Sequence, residues 1–93
     1  MAVYVDSERI KWRGREWCHL IADSLDELHT FASSLGLKRA WFQNKRSCPH
    51  YDITMPKKQK ALTLGACELD RREMSMKIRE IRNSLKGEQV RGQ

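Results

Sequence analysis

Apolar positions change their period several times along this chain, and each change marks an element. AVYVD (2–6) is short, apolar and rich in β-branched residues, which predicts a strand. SERIKWRGRE (7–16) is polar and holds Gly14, which fits a loop or an irregular hairpin arm. WCHLIAD (17–23) predicts a second strand. Trp17, His19 and Ile21 take one side, and Cys18, Leu20 and Ala22 the other. Both sides are largely apolar, as in a strand covered on two faces.

Ser24 followed by Glu27 is a capping-box pattern, in which Ser24 caps the third helical amide and Glu27 returns to the amide of Ser24. Leu25, Leu28, Ala32 and Leu35 follow at helical spacing, and Gly36 is a natural left-handed stop. The pattern predicts a helix over 24–35. Residues 37–49 have no period. LKRAWF suits a single turn, and QNKRSCP a basic loop. HYDIT (50–54) alternates, with His50, Asp52 and Thr54 on one side and Tyr51 and Ile53 on the other. It predicts a third strand or the extended entry to a helix. Thr54 can cap that helix, Pro56 is tolerated in its first turn, and Gly65 ends it. Asp70 and Glu73 form a second capping pair, with Leu69 and Met74 as a hydrophobic staple. Met74, Ile78, Ile81 and Leu85 then make a narrow stripe, suited to packing on the domain or to pairing with a second copy in a homodimer.

These elements predict a small α/β domain of order β-β-α-β-α-α, with a short, partly parallel sheet packed by helices. Its bounds are 1–86, with 70–86 the C-terminal helix and 87–93 a frayed tail. The helix between the second and third strands predicts a right-handed parallel crossover, which would put Asp23 and Thr54 at the same edge of the sheet.

Composition narrows the partners. Ninety-three residues make one domain with a modest core. No apolar run approaches the roughly 20 residues of a membrane span, and the N-terminus lacks the layout of a secretory signal, so a cytoplasmic protein with no membrane partner is expected. Cys18, Cys48 and Cys67 are odd in number and form no CxxC pair, which argues against disulfides and structural zinc and for reduced, mostly buried thiols. The net charge of +6 is uneven. Residues 37–60 carry Lys38, Arg39, Lys45, Arg46, Lys57, Lys58 and Lys60 against Asp52 alone. Such a block either attracts phosphate or is a solvated basic face.

Four groupings could carry chemistry. His50 and Asp52 share one side of an extended segment, where a carboxylate can orient an imidazole for base catalysis or metal binding. The plainer alternative is an Asp that caps and a His that packs. His19 and Asp23 lie where a strand meets a helix, the place ligands choose in open α/β sheets, although His19 would equally be a hydrogen-bonded core residue. His29 reads as a partly buried helix residue. Trp41, Phe42 or Tyr51 beside the cations would stack a base while Lys38, Arg39, Lys45, Arg46, Lys57 and Lys58 hold phosphate, together with the amino end of the helix behind Thr54. The plainer place for Trp41 and Phe42 is the core. No phosphate-binding glycine loop, dinucleotide fingerprint, nucleophile elbow or HExxH helix occurs.

MAVYVD, HLIADSLDELHTFA (19–32), LGLKRAWFQ (35–43), HYDIT (50–54) and KKQKALTLGA (57–66), in that order, give the chain its likeness. It resembles a bacterial and phage family known as domain of unknown function 4031. The resemblance implies that His19, Asp23, Glu27, His29, His50 and Asp52 stand at family positions for histidines and acids. It implies no activity.

The expected function is binding of a phosphate-bearing small molecule, a nucleotide or nucleotide-derived signal, which a phage would use in the host cytoplasm to sequester an immune signal. The alternative is a small metal- or histidine-dependent phosphoesterase or nuclease using His19, Asp23, His50 and Asp52. A divalent metal, on His50 and Asp52, enters only with that reading; a binder needs no cofactor. A nucleic-acid binder acting through the basic stretch comes third, because no helix-turn-helix, zinc-finger or RNP signature supports it.

Overall fold

A computed structural model describes residues 2–45 and 48–91. Its elements are β1 (Val3–Asp6), β2 (Ile10–Trp12), β3 (Arg15–Ala22), α1 (Leu25–Ser34), a single 3-10 turn at Arg39–Trp41, β4 (Tyr51–Thr54), α2 (Met55–Thr63), β5 (Cys67–Leu69) and α3 (Arg71–Arg91). The fold is α/β with a mixed five-stranded sheet.

The long strand β3 organises the sheet. Along one edge it pairs antiparallel first with β2, through Ile10 opposite Trp17, and then with β1, through Val5 opposite Leu20. Its other edge pairs antiparallel with β4. β5 adds to the outer side of β1 and gives the one parallel pair among the described residues.

Three expectations change or narrow here. Of the two readings of residues 7–16, the hairpin arm holds and the loop does not: β2 and β3 form a hairpin, more regular than expected. Arg13 and Gly14 both have positive φ, 50° and 74°, as a two-residue turn matched to strand twist requires. The connection through α1 does not return β4 parallel to β3. Trp17 pairs with Thr54 and Leu20 with Tyr51, so Thr54 lies at the end of β3 remote from Asp23. The segment after Gly36 spans the molecule before β4 begins, which brings the chain back from the opposite end. Finally, β5 follows α2, and α3 continues as helix to Arg91, past the tail expected from residue 87.

The strand alternation sorts side chains onto two faces. Val5, Cys18, Leu20, Ala22, Tyr51 and Ile53 join Leu28, Ala32, Leu35 and Ala61 in one core under α1 and α2. On the other face Tyr4 and Ile21 pack with Met74 and Ile81 of α3, and Ile78 and Leu85 close on the same cluster. Of the two uses expected for the apolar stripe of α3, packing on the domain is the one the fold makes. Each helix starts as its capping residues dictate. Ser24 Oγ accepts the Glu27 amide, although Glu27 returns to the Ser24 hydroxyl (2.9 Å) rather than to its amide. Asp70 and Glu73 exchange both backbone bonds, at 2.8 and 2.9 Å. Thr54 occupies the cap position of α2 with no bond from its hydroxyl to the helix.

α3 covers only the part of its face around Tyr4 and Ile21. The rest of that face, formed by Trp17, His19, Asp52 and Thr54, lines an open pocket.

Candidate functional site

Register puts three titratable residues in a row across the sheet. His19 on β3 stands directly opposite Asp52 on β4. Val5 pairs with Leu20, so Asp6, at the end of β1, reaches His19 from the other edge. Asp6 is 3% exposed, and both its oxygens are used: one accepts the His19 backbone amide (3.2 Å), the other the ring at Nδ1 (2.7 Å). A buried carboxylate needs this kind of satisfaction. The hydrogen bond to Asp6 raises the pKa of His19; burial opposes it, and the charges of Asp6 and Asp52 add to it.

His50 joins from the strand entry, on the side of the chain that alternation expects. Its backbone forms a two-way bridge with Gln43, at 2.9 and 3.0 Å. Its Nδ1 lies 3.0 Å from the Cys48 carbonyl oxygen. A carbonyl only accepts, so the ring carries its proton on Nδ1 and turns Nε2 inward. That Nε2 is 3.5 Å from Asp52 Oδ1, and His19 Nε2 is 3.8 Å from the same oxygen. The two rings meet edge to face, with centroids 5.1 Å apart. Gln43 Nε2 donates to the other Asp52 oxygen, Oδ2, and so turns Oδ1 toward the histidines.

Above this cluster opens a pocket of about 630 Å³, within the range that ligand sites occupy. His19, Asp52 and Gln43 lie on its floor. Three indoles, Trp12, Trp17 and Trp41, line it together with the cations Arg15 and Lys57. Trp12 and Trp41 are 57% and 51% exposed, much for aromatic rings in so small a domain. The hairpin fixes the first two indoles: their centroids are 6.1 Å apart, and Trp17 Nε1 donates to the Trp12 carbonyl (3.0 Å). Trp41 stands on the 3-10 turn with the Lys38 ammonium 5.6 Å from its ring centroid. Lys57 Nζ also holds the Leu35 carbonyl at the end of α1 (2.6 Å).

The expected site residues divide. His19, His50 and Asp52 come together. Trp41, Thr54 and Lys57 line the pocket. Asp23 does not join them; it accepts from the Ala2 amide and the Tyr4 hydroxyl, and so ties β1 to the end of β3. Lys58 is buried and paired with Glu68 at 2.5 Å, so it is a structural cation rather than a phosphate contact. Tyr51 is buried on the α1 face, where its hydroxyl meets His29 Nδ1 at 2.9 Å. Phe42 packs edge-on against His29 (4.5 Å) in the same core, and burial lowers the His29 pKa. Lys38, Arg39 and Lys45 are exposed outside the pocket wall, and Arg46 lies outside the described residues. Composition alone did not single out Asp6, Gln43, Trp12, Trp17 or Arg15. For Asp6 one signal existed, an acid closing an otherwise apolar strand.

None of the described helices is long and apolar enough to cross a membrane. No curated protein and no solved structure matches the chain. The model of a family described as protein of unknown function (DUF4031) matches residues 3–81, most of the chain and all of the cluster just described, and the chain belongs to that family.

Proposed function

We propose that this domain binds a phosphate-bearing small molecule with a flat ring, a nucleotide or a compound derived from one. One observation carries the reading: three indoles and two cations face the same open pocket. An indole face offers stacking to any base, and Arg15 and Lys57 offer charge to phosphate. Hydrogen-bonding groups on the floor, Gln43, Asp52 and His19, would orient a polar ring edge or a ribose.

Titration of the untagged chain with mono-, di- and cyclic nucleotides, followed by tryptophan fluorescence, tests this reading. Saturable binding is expected. Trp41→Ala should weaken it by about 5- to 150-fold, the equivalent of about 1–3 kcal/mol for a stacked base. Absence of saturable binding across the panel overturns the reading.

A second reading is favoured by the His19, His50 and Asp52 cluster, which has the groups of a phosphoesterase. Turnover of the bound compound with a divalent metal, abolished in His50→Ala, would establish it. Nucleic-acid binding ranks below both, because Lys58 is internal and Lys57 faces the pocket, which breaks up the basic stretch.

A further inference from the structure

Three potential donor atoms gather at the pocket, where His19 and Asp52 line the wall and His50 stands beside them. The Nδ1 positions of His19 and His50 are held by Asp6 and by the Cys48 carbonyl, both acceptors, so each neutral ring presents a bare Nε2. Both nitrogens face Asp52 Oδ1, at 3.8 and 3.5 Å, too far for a strong hydrogen bond. The three donor atoms therefore crowd together without a strong hydrogen bond from either ring to Asp52.

We propose that His19 Nε2, His50 Nε2 and Asp52 Oδ1 form a binding site for a late first-row divalent cation such as Zn²⁺. The spacing fits. Two donors about 2.0–2.1 Å from one zinc ion at the tetrahedral angle stand about 3.3–3.4 Å apart. Closing the two gaps to Asp52 takes side-chain movements of a few tenths of an ångström. The three residues offer donor atoms that all lie within 4.8 Å of one another.

The supporting shell is complete. Metal-bound histidines characteristically give their second ring nitrogen to a carboxylate or a carbonyl, and one of each serves here. Gln43 steadies the free oxygen of Asp52. Two carboxylates, Asp52 and the buried Asp6, balance a double positive charge. Two imidazoles with one carboxylate suit zinc, cobalt or nickel better than magnesium or calcium, which prefer all-oxygen surroundings. Three protein ligands below an open pocket leave a coordination position for water or a ligand oxygen. The site stands whether or not the pocket takes a nucleotide.

The test strips the untagged full chain with chelator and titrates it with Zn²⁺ and, separately, Co²⁺. Native mass spectrometry reads stoichiometry, and long-range ¹H–¹⁵N spectra read each histidine ring. One ion per chain is expected, with the Nε2 signals of His19 and His50 displaced. His29, on the other face of the sheet, serves as the internal control and should not move. Asp6→Asn should weaken binding by about 10- to 100-fold, and Asp52→Ala should abolish it. The ring spectra need no variant, so the result does not depend on a mutant that folds. Absence of stoichiometric binding, or binding that leaves both His19 and His50 unmoved, overturns the proposal. Nucleotide titration of the stripped protein separates its failure from failure of the pocket reading.

Discussion

Asp6 and His19 are joined twice: one carboxylate takes both the backbone amide and the ring of the same residue. The amide bond fixes the carboxylate, and the ring bond then fixes the imidazole. Asp6 cannot turn without breaking both, and the His19 ring cannot turn without breaking its own. Asp6→Asn keeps the size and one acceptor but loses the charge-assisted bond. Urea denaturation of the stripped protein should show a loss of about 1.5–3 kcal/mol. A variant as stable as the wild type would mean that the doubled contact contributes nothing.

Lys57 and Lys58 are neighbours in sequence with opposite roles. Lys57 lines the pocket, and Lys58 is buried against Glu68. Lys58→Met should leave nucleotide affinity unchanged but lower stability, because it removes one partner of the ion pair and leaves Glu68 without its cation. Lys57→Met should weaken nucleotide binding. Equal losses in both variants would contradict this division.

His29 makes the fold sensitive to mild acid. Burial lowers its pKa in the folded state, while the unfolded chain keeps the ordinary value near 6.5. Its contribution is therefore complete above that unfolded value and is lost as pH falls through the folded one. Urea midpoints measured at pH 7 and pH 5 should fall further for the wild type than for His29→Gln. Comparing the two proteins cancels the titration of other groups. Identical slopes would place His29 in solvent.

The three thiols should differ sharply in reactivity. Cys67 is exposed, whereas Cys18 and Cys48 are buried, with pKa values pushed up to about 12 and about 11, mainly by burial. At pH 8 an aromatic disulfide reagent should modify one thiol per native chain quickly, and all three after denaturation. Because the Cys18 value is raised on folding, its contribution to stability is full below the unfolded thiol value and is lost as pH rises toward 12. Rapid modification of all three thiols in the native protein would rule out this burial.

Ile81 tests the attachment of α3. It is 5% exposed and packs with Met74 against Tyr4 and Ile21. Ile81→Ala should cost about 2–5 kcal/mol by thermal or urea unfolding, as for other buried branched residues. A negligible change would indicate a helix that leans on the sheet without holding it.

Local signals were legible in the sequence wherever cause and effect lie close together in the chain. Ser24, Glu27 and Gly36 bound α1 as their chemistry requires. Alternation alone placed His50 with Asp52, and His19 with Trp17. Long-range register was not legible. Nothing in the chain before residue 19 announces that Asp6 will meet His19 across two paired strands. The hairpin stood only as one of two readings because Arg13 takes a positive φ without the usual Asn-Gly or Asp-Gly signature. The parallel expectation for β4 rested on the habit of strand-helix-strand units, which the long segment 35–49 escapes by carrying the chain to the other end of β3. Charge counting could not tell Lys57 from Lys58, since adjacent residues on a helix point about 100° apart.

The row of Asp6, His19 and Asp52 crosses three strands, and the outermost of these, β4, is only four residues long. A short edge strand is where a sheet opens first, so its backbone amides should exchange with solvent well before those of β3. Whatever occupies the floor of the pocket touches β3 and β4 at once and makes opening that edge costlier. Occupancy would then be written into the exchange rate of Tyr51, whose side chain is buried in the core on the far face of the sheet, outside the pocket lining.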